Sequence, residues 1–267
     1  MGNALILEPK AISSITPSNT ASGYSGSNMA LDLMGLVWKS DTGSATRNVI
    51  FDLGADTAVD TIVLVGLNGA LQAWNWSIDL ATSAQGAFTG SFFAGSSRTL
   101  LAGTNSPTSG LGKALWLASS ETSPPATSRY VRVNFSNLGT AAVEVSRAII
   151  GSAIQPGINF AYGAGFGVRS MGNVDFSNTG VPLVRNGARL RGLAISFDAA
   201  TEAEVQTSIQ PMLERLGNDN TICVVTDPDA NADRQNRIYF GFLTGDLGTI
   251  WARLGGFQAK FNLVALD

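Results

Sequence analysis

With 267 residues the chain is long enough for two domains, each burying its own core. Only 14% of it is charged, against roughly 25% in an ordinary soluble domain, and 30 glycines with many Ser, Thr, Asn and Ala fill the gap. A surface that is polar without being ionic suits burial against other subunits. A net charge of −3 with 17 scattered basic residues leaves no basic stripe, which argues against a nucleic-acid partner, and the lack of any histidine excludes imidazole-based catalysis and His-ligated metals.

In chain order, the apolar run Ala4–Leu7 ends at Glu8-Pro9. It lacks the basic n-region and long h-region of a secretory signal, so synthesis and folding in the cytoplasm are expected. No stretch nears 18 uninterrupted apolar residues, so no membrane span is expected, and Ile6 stands where myristoylation wants Ser or Thr. Residues 49–53 and 61–65 are β-branched runs separated by the turn cluster Gly54-Ala55-Asp56. Trp74, Trp76, Ile78 and Leu80 alternate with Asn75, Ser77 and Asp79, and Val131, Val133 and Phe135 repeat the two-residue period of a half-buried strand. Residues 81–128 read as Gly/Ser/Thr/Pro-rich loops joining edge strands. Residues 143–150 close the first domain, and 151–157, with Pro156 inside, read as a linker.

The second half changes rhythm. Leu193, Ile195 and Phe197 alternate, and Thr201 and Glu204 have the spacing of a capping box. Val205, Ile209, Met212, Leu213 and Leu216 form one apolar helical stripe ended by Gly217, with Pro211 expected to kink or split it. Strands are expected at 221–226, 238–243 and 257–263. The fold class expected is therefore mainly β: a jelly-roll sandwich over 1–152 with an N-terminal arm, then an α+β domain over 153–267 with a twisted sheet and one main helix.

Chemistry-bearing constellations are few. Asp52, Asp56, Asp60 and Asp79 sit at turns or on polar strand faces, where solvated carboxylates are expected rather than a glycosidase pair. Residues 163–167 (Gly-Ala-Gly-Phe-Gly) do not follow a strand and open a helix, and read as loop. Asp227, Asp229, Asn231 and Asp233 alternate as calcium ligands do, but Ala232 replaces the turn glycine and Ile238 stands where a closing Glu belongs, so calcium binding is left open. Cys223, the only cysteine, reads as a small strand hydrophobe. Trp74 and Trp76 share a strand face and, with Trp38, are expected in the core; an exposed indole would instead suit a sugar ring. No catalytic, cofactor-binding or metal residue is assigned, no cofactor is expected, and no enzyme.

Residues 28–151 resemble the discoidin or coagulation-factor C-type domain of the galactose-binding-like class. The likeness rests on Met29-Ala30-Leu31-Asp32, Trp38-Lys39-Ser40, Val49 to Gly54, Ile62 to Val65, Arg129 to Val133 and Ile149-Ile150-Gly151, in that order. The family's Ser-x-Asp-Gly-x-x-Trp pattern after Trp76 and its stapling cysteines are missing, so no sugar-binding residue transfers. Residues 165–267 are similar to distal-tail-type proteins of long-tailed bacteriophages, through Arg189 to Leu193, the Asp-x-x-Thr helix start, the helix ending in Gly217, the strand into Asp227-Pro228 and Ile238 to Leu243. Together these resemblances imply a tail-tip or baseplate structural protein of the virion, assembled in the host cytoplasm. The implied partners are other tail proteins, sibling copies in a ring, and a host-surface glycan; the alternative is a carbohydrate-binding adhesion module without catalysis.

Overall fold

The computed structural model describes residues 2–68, 73–107, 109–253 and 256–266. It is mainly β, with two compact units. One unit comprises Leu7–Ala153 and Asp227–Ile238; the other comprises Met1–Ile6, Ile154–Thr226 and Tyr239–Asp267. The division expected from the sequence was 1–152 and 153–267. The first six residues group with the second unit, and 227–238 group with the first. Residues 151–157 are also not a plain linker, because Arg147–Gly151 and Ala153–Ile154 are strands.

The first unit is an antiparallel β-sandwich of jelly-roll type. One sheet orders Ser14–Pro17, Arg47–Ala58, Thr127–Ser136, Asn75–Ala81 and Phe93–Ala94, with Arg98–Thr99 also on Asn75–Ala81. A second sheet orders Arg147–Gly151, Thr61–Leu67 and Gly112–Leu117. The period-two alternation sets the faces. Val131 lies opposite Phe51 and Leu80, and Val133 opposite Val49 and Ile78, so apolar rows build the core while Arg132 and Asn134 point the other way. Trp38, Trp74, Trp76 and Trp116 are all buried in that core, and Trp38 stacks near Phe135 with ring centroids 6.2 Å apart. At about 25 cal/mol per Å² of apolar area these indoles are the largest single contributors to the sandwich.

The second unit is α+β. Its main sheet orders Ala153–Ile154, Leu5–Leu7, Thr221–Val225, Ile238–Leu243, Gly256–Ala265, Arg189–Thr201 and Gly165–Ser170, with Thr249–Arg253 also on Gly256–Ala265. The expected helix runs from Glu202 to Leu216, opened by the Thr201/Glu204 capping box. Pro211 leaves its mark one turn earlier. Over Val205–Ile209 the hydrogen bonds widen to π spacing, so the missing proline N–H falls where the ladder has already shifted register. Val205, Ile209, Met212, Leu213 and Leu216 pack with Leu193, Ile195, Phe197, Ile222, Val224 and Phe261. Cys223 is buried in its strand, as its apolar neighbours suggested.

Candidate functional site

The calcium candidates are otherwise engaged. Asp227 takes the Arg237 guanidinium, and its Oδ1 accepts from the Asp229 N–H at 3.2 Å. Asn231 Oδ1 accepts from the Asp233 N–H at 3.0 Å, and Asp233 accepts from Asn105 Nδ2 at 2.6 Å. Among the described residues no group of three or more acidic side chains is placed to hold a cation. The loop instead completes the sandwich. Gln235 is fully buried; its Oε1 accepts from the Lys113 N–H at 3.0 Å and its amide donates to the Gly103 carbonyl. Lys113, only 1% exposed, donates from Nζ to the Ile238 carbonyl at 2.8 Å. A buried ammonium needs such acceptors, because its desolvation is otherwise uncompensated.

The outward face of the larger sandwich sheet carries a polar row. Arg132 donates to Asp79 Oδ2 through Nε at 2.9 Å and Nη2 at 2.6 Å, and Asn134 Nδ2 donates to the same oxygen at 2.8 Å. Phe88 and Phe92 cover the guanidinium at 4.3 and 4.9 Å from their ring centroids. Phe88 does so from a left-handed backbone, φ 63°, which is costly for an aromatic residue. Asp79 is therefore not the solvated carboxylate expected of a polar strand face: at 5% exposure it is buried beneath its partners. Asp60 accepts from Thr61 Oγ1, Ser152 Oγ and the Ala153 N–H. Asp52 chelates Arg129 at 2.8 and 3.0 Å, and that contact holds its carboxyl below the usual carboxylate range.

The least satisfied surface lies in the second unit. Gly165–Ser170, which takes in the second half of the 163–167 stretch expected as loop, is an edge strand on Arg189–Thr201, and beyond it Asn173–Phe176 pairs with Pro182–Arg185. Together they form a two-stranded ribbon. Its tip is a tight turn, with the Gly180 N–H donating to the Ser177 carbonyl at 2.8 Å and Gly180 at φ 78°. Val174 lies opposite Val184 and Phe176 opposite Pro182, which puts four apolar side chains on one face; Asn173, Asp175, Leu183 and Arg185 take the other. All four are exposed, Phe176 to 64%, and so are Phe166, Val168 and Met171 nearer the base. A bare two-stranded hairpin is marginal in water, and so large an uncovered apolar face marks a contact surface. The signal was present in the alternation of Val174 and Phe176 with Asn173 and Asp175, hidden by glycine-rich flanks.

The same unit holds a cleft of about 330 Å³ at the end of the helix, lined by Gln210, Leu213, Glu214, Asn218, Asp246 and Leu247. Glu214 and Asp246 bring two carboxylates to its lining. Glu214 accepts from Gln210 Nε2 at 2.9 Å.

No protein-family model matches the chain, and no curated protein matches it. Solved structures do share part of its shape. A Ruminococcus gnavus GH29 fucosidase in complex with fucose is 16% identical, with TM-score 0.39 over 53% of this chain, a region that spans only 25% of the fucosidase's own chain. The CBM32 of AlyQ in complex with 4,5-unsaturated mannuronic acid is 20% identical over 54% of this chain and 97% of its own, TM-score 0.39. Chitosan-binding module 1 from a Paenibacillus sp. IK-5 chitosanase/glucanase is 17% identical over 54% and 99%, TM-score 0.39. Those sugars are ligands of those proteins.

Proposed function

We propose that this chain is a structural protein of the tail tip or baseplate of a long-tailed bacteriophage, acting by assembly with sibling and neighbouring tail proteins and catalysing no reaction. The observation that carries it is the ribbon from Gly165 to Arg191, whose apolar face is exposed along its length. Such a face belongs against a partner. The low charge content supports the same role, since an assembly surface with few charges loses little to desolvation. The distal-tail-like order of motifs supplies the tail placement. Immuno-electron microscopy of purified particles tests it: antibody against the chain should label one end of the tail, and unlabelled particles that contain every other tail protein refute it.

A second role for the sandwich, binding a host-surface glycan, is favoured by one observation. Phe88 and Phe92 set two half-buried aromatic rings over Arg132 on one outward face. A glycan array should use the full chain, because a 1–152 fragment lacks the 227–238 segment on which Lys113 depends. Binding lost in Phe92→Ala supports that role, and an array with no hits refutes it.

A further inference from the structure

We propose that Asn186-Gly187, at the root of the ribbon, is a self-acting modification site, where the chain converts its own asparagine to isoaspartate and aspartate with water as the only co-reactant. An asparagine carboxamide lies within reach of the next backbone nitrogen, and a glycine there leaves that nitrogen without a side chain to shield it. The sequence contains two such steps, Asn68-Gly69 and Asn186-Gly187, and an alanine follows each of them. The fold treats the two differently.

Asn186 is exposed in the short join between Pro182–Arg185 and Arg189–Thr201. Among the described residues its side chain makes no hydrogen bond, and the Gly187 N–H donates none. Both reacting groups are therefore uncommitted. Arg185 precedes the pair and Arg189 follows closely after it, and their positive charge favours the deprotonated amide nitrogen that attacks. Asn68, by contrast, is half-buried, its Nδ2 donating to the Ala142 carbonyl at 2.9 Å and its Oδ1 accepting from the Glu144 N–H at 2.7 Å. Cyclisation there has to break both bonds first.

The reaction balances without a redox partner. The Gly187 nitrogen bonds to Asn186 Cγ, the Cγ–Nδ2 bond breaks, and ammonia leaves with the proton of the attacking nitrogen, closing a succinimide ring. Water then opens the ring: attack at Cγ gives aspartate, and attack at the former backbone carbonyl reroutes the main chain through Cγ as isoaspartate. Either product puts a carboxylate between Arg185 and Arg189 and takes the net charge of the chain from −3 to −4. Isoaspartate also adds a methylene to the main chain where there is no slack, since a Cβ on Gly187 would overlap the backbone of Met171 and Gly172. The conversion therefore re-spaces the ribbon against the strands it springs from.

Peptide mapping by mass spectrometry tests this on the full chain, held folded in mildly alkaline heavy-oxygen water, with electron-transfer fragmentation to tell isoaspartate from aspartate. Asn186 should exchange its amide nitrogen for a water oxygen at least about tenfold faster than Asn68, with isoaspartate the larger product. In urea the two rates should converge to within about threefold, because the fold is what separates them. Asn186→Gln, whose longer side chain closes the ring poorly, should stay unmodified at 186 while Asn68 keeps its wild-type rate. An Asn186 that remains intact in the folded chain, or reacts no faster than Asn68, overturns the proposal, and so does an advantage for Asn186 that persists undiminished in urea. Each of these results is read on the free chain, so none of them rests on the assembly role or decides it.

Discussion

Gln235→Ala is the sharpest probe of how the sandwich is completed. The change removes the acceptor of the Lys113 N–H and the donor to the Gly103 carbonyl, and it leaves a void at a fully buried position. Each buried group left unpaired costs about 1–3 kcal/mol, and partial collapse of the neighbours recovers some of that. A net loss of about 2–4 kcal/mol follows. For a unit of this size 1 kcal/mol moves the midpoint by roughly 2–4 °C, so the sandwich transition should fall by about 4–16 °C. Calorimetry is the assay, because two units need not melt together and a single midpoint would blur them. Ala230→Ser, exposed on the same segment, is the control and should stay within about 0.5 kcal/mol of wild type. A loss under about 1 kcal/mol for Gln235→Ala would show that 227–238 merely lies on the sandwich and does not complete it.

Two further outcomes follow from the polar contacts. Arg132→Ala strands the buried Asp79 carboxylate with only Asn134 as donor, and should cost about 3 kcal/mol in urea unfolding; Arg132→Leu/Asp79→Leu should recover most of it, and a single variant as stable as wild type would contradict the burial argument. The Gly157 N–H, with the Thr201 backbone and hydroxyl, holds the Glu204 carboxyl below its ordinary 4.5. The ionised form is the one bound, so its stabilisation is present above that ordinary value and disappears as pH falls through the lower folded value; it is worth about 0.5–1 kcal/mol in so exposed a setting. Glu204→Gln should therefore flatten the acid limb of stability of the helical unit, and an unchanged pH profile would exclude that contribution.

Much of the architecture could be read from periodicity. The Val131, Val133, Phe135 alternation located a strand and its inward face, and the stripe from Val205 to Leu216 located the helix, because both patterns are local. The capping box at Thr201 was legible for the same reason. What was hidden is non-local. Nothing in Asp227 to Ile238 says that its glutamine will sit against Lys113, more than a hundred residues earlier, and its alternating oxygens advertise a metal loop instead. Asp79 looked solvated because its strand face is outward, while the two Phe rings that roof Arg132 come from a segment with no periodic signal. The ribbon was missed because glycines at 163, 165 and 167 imitate a loop, although side chains are not required where only backbone pairing is needed.

The segment from Asp227 to Ile238 has a consequence for synthesis. A ribosome that has finished Ala153 has made nearly all of the sandwich, yet the acceptors for Lys113 and the donor to the Gly103 carbonyl are still about 85 codons away. At about 5–20 residues per second that is a wait of roughly 4–17 s during which the nascent unit is unfinished. The N-terminal strand waits as well for one of its two neighbours, Thr221–Val225, which only three more strands follow. Neither half can therefore mature vectorially, and the two reach their native states only after translation is almost over.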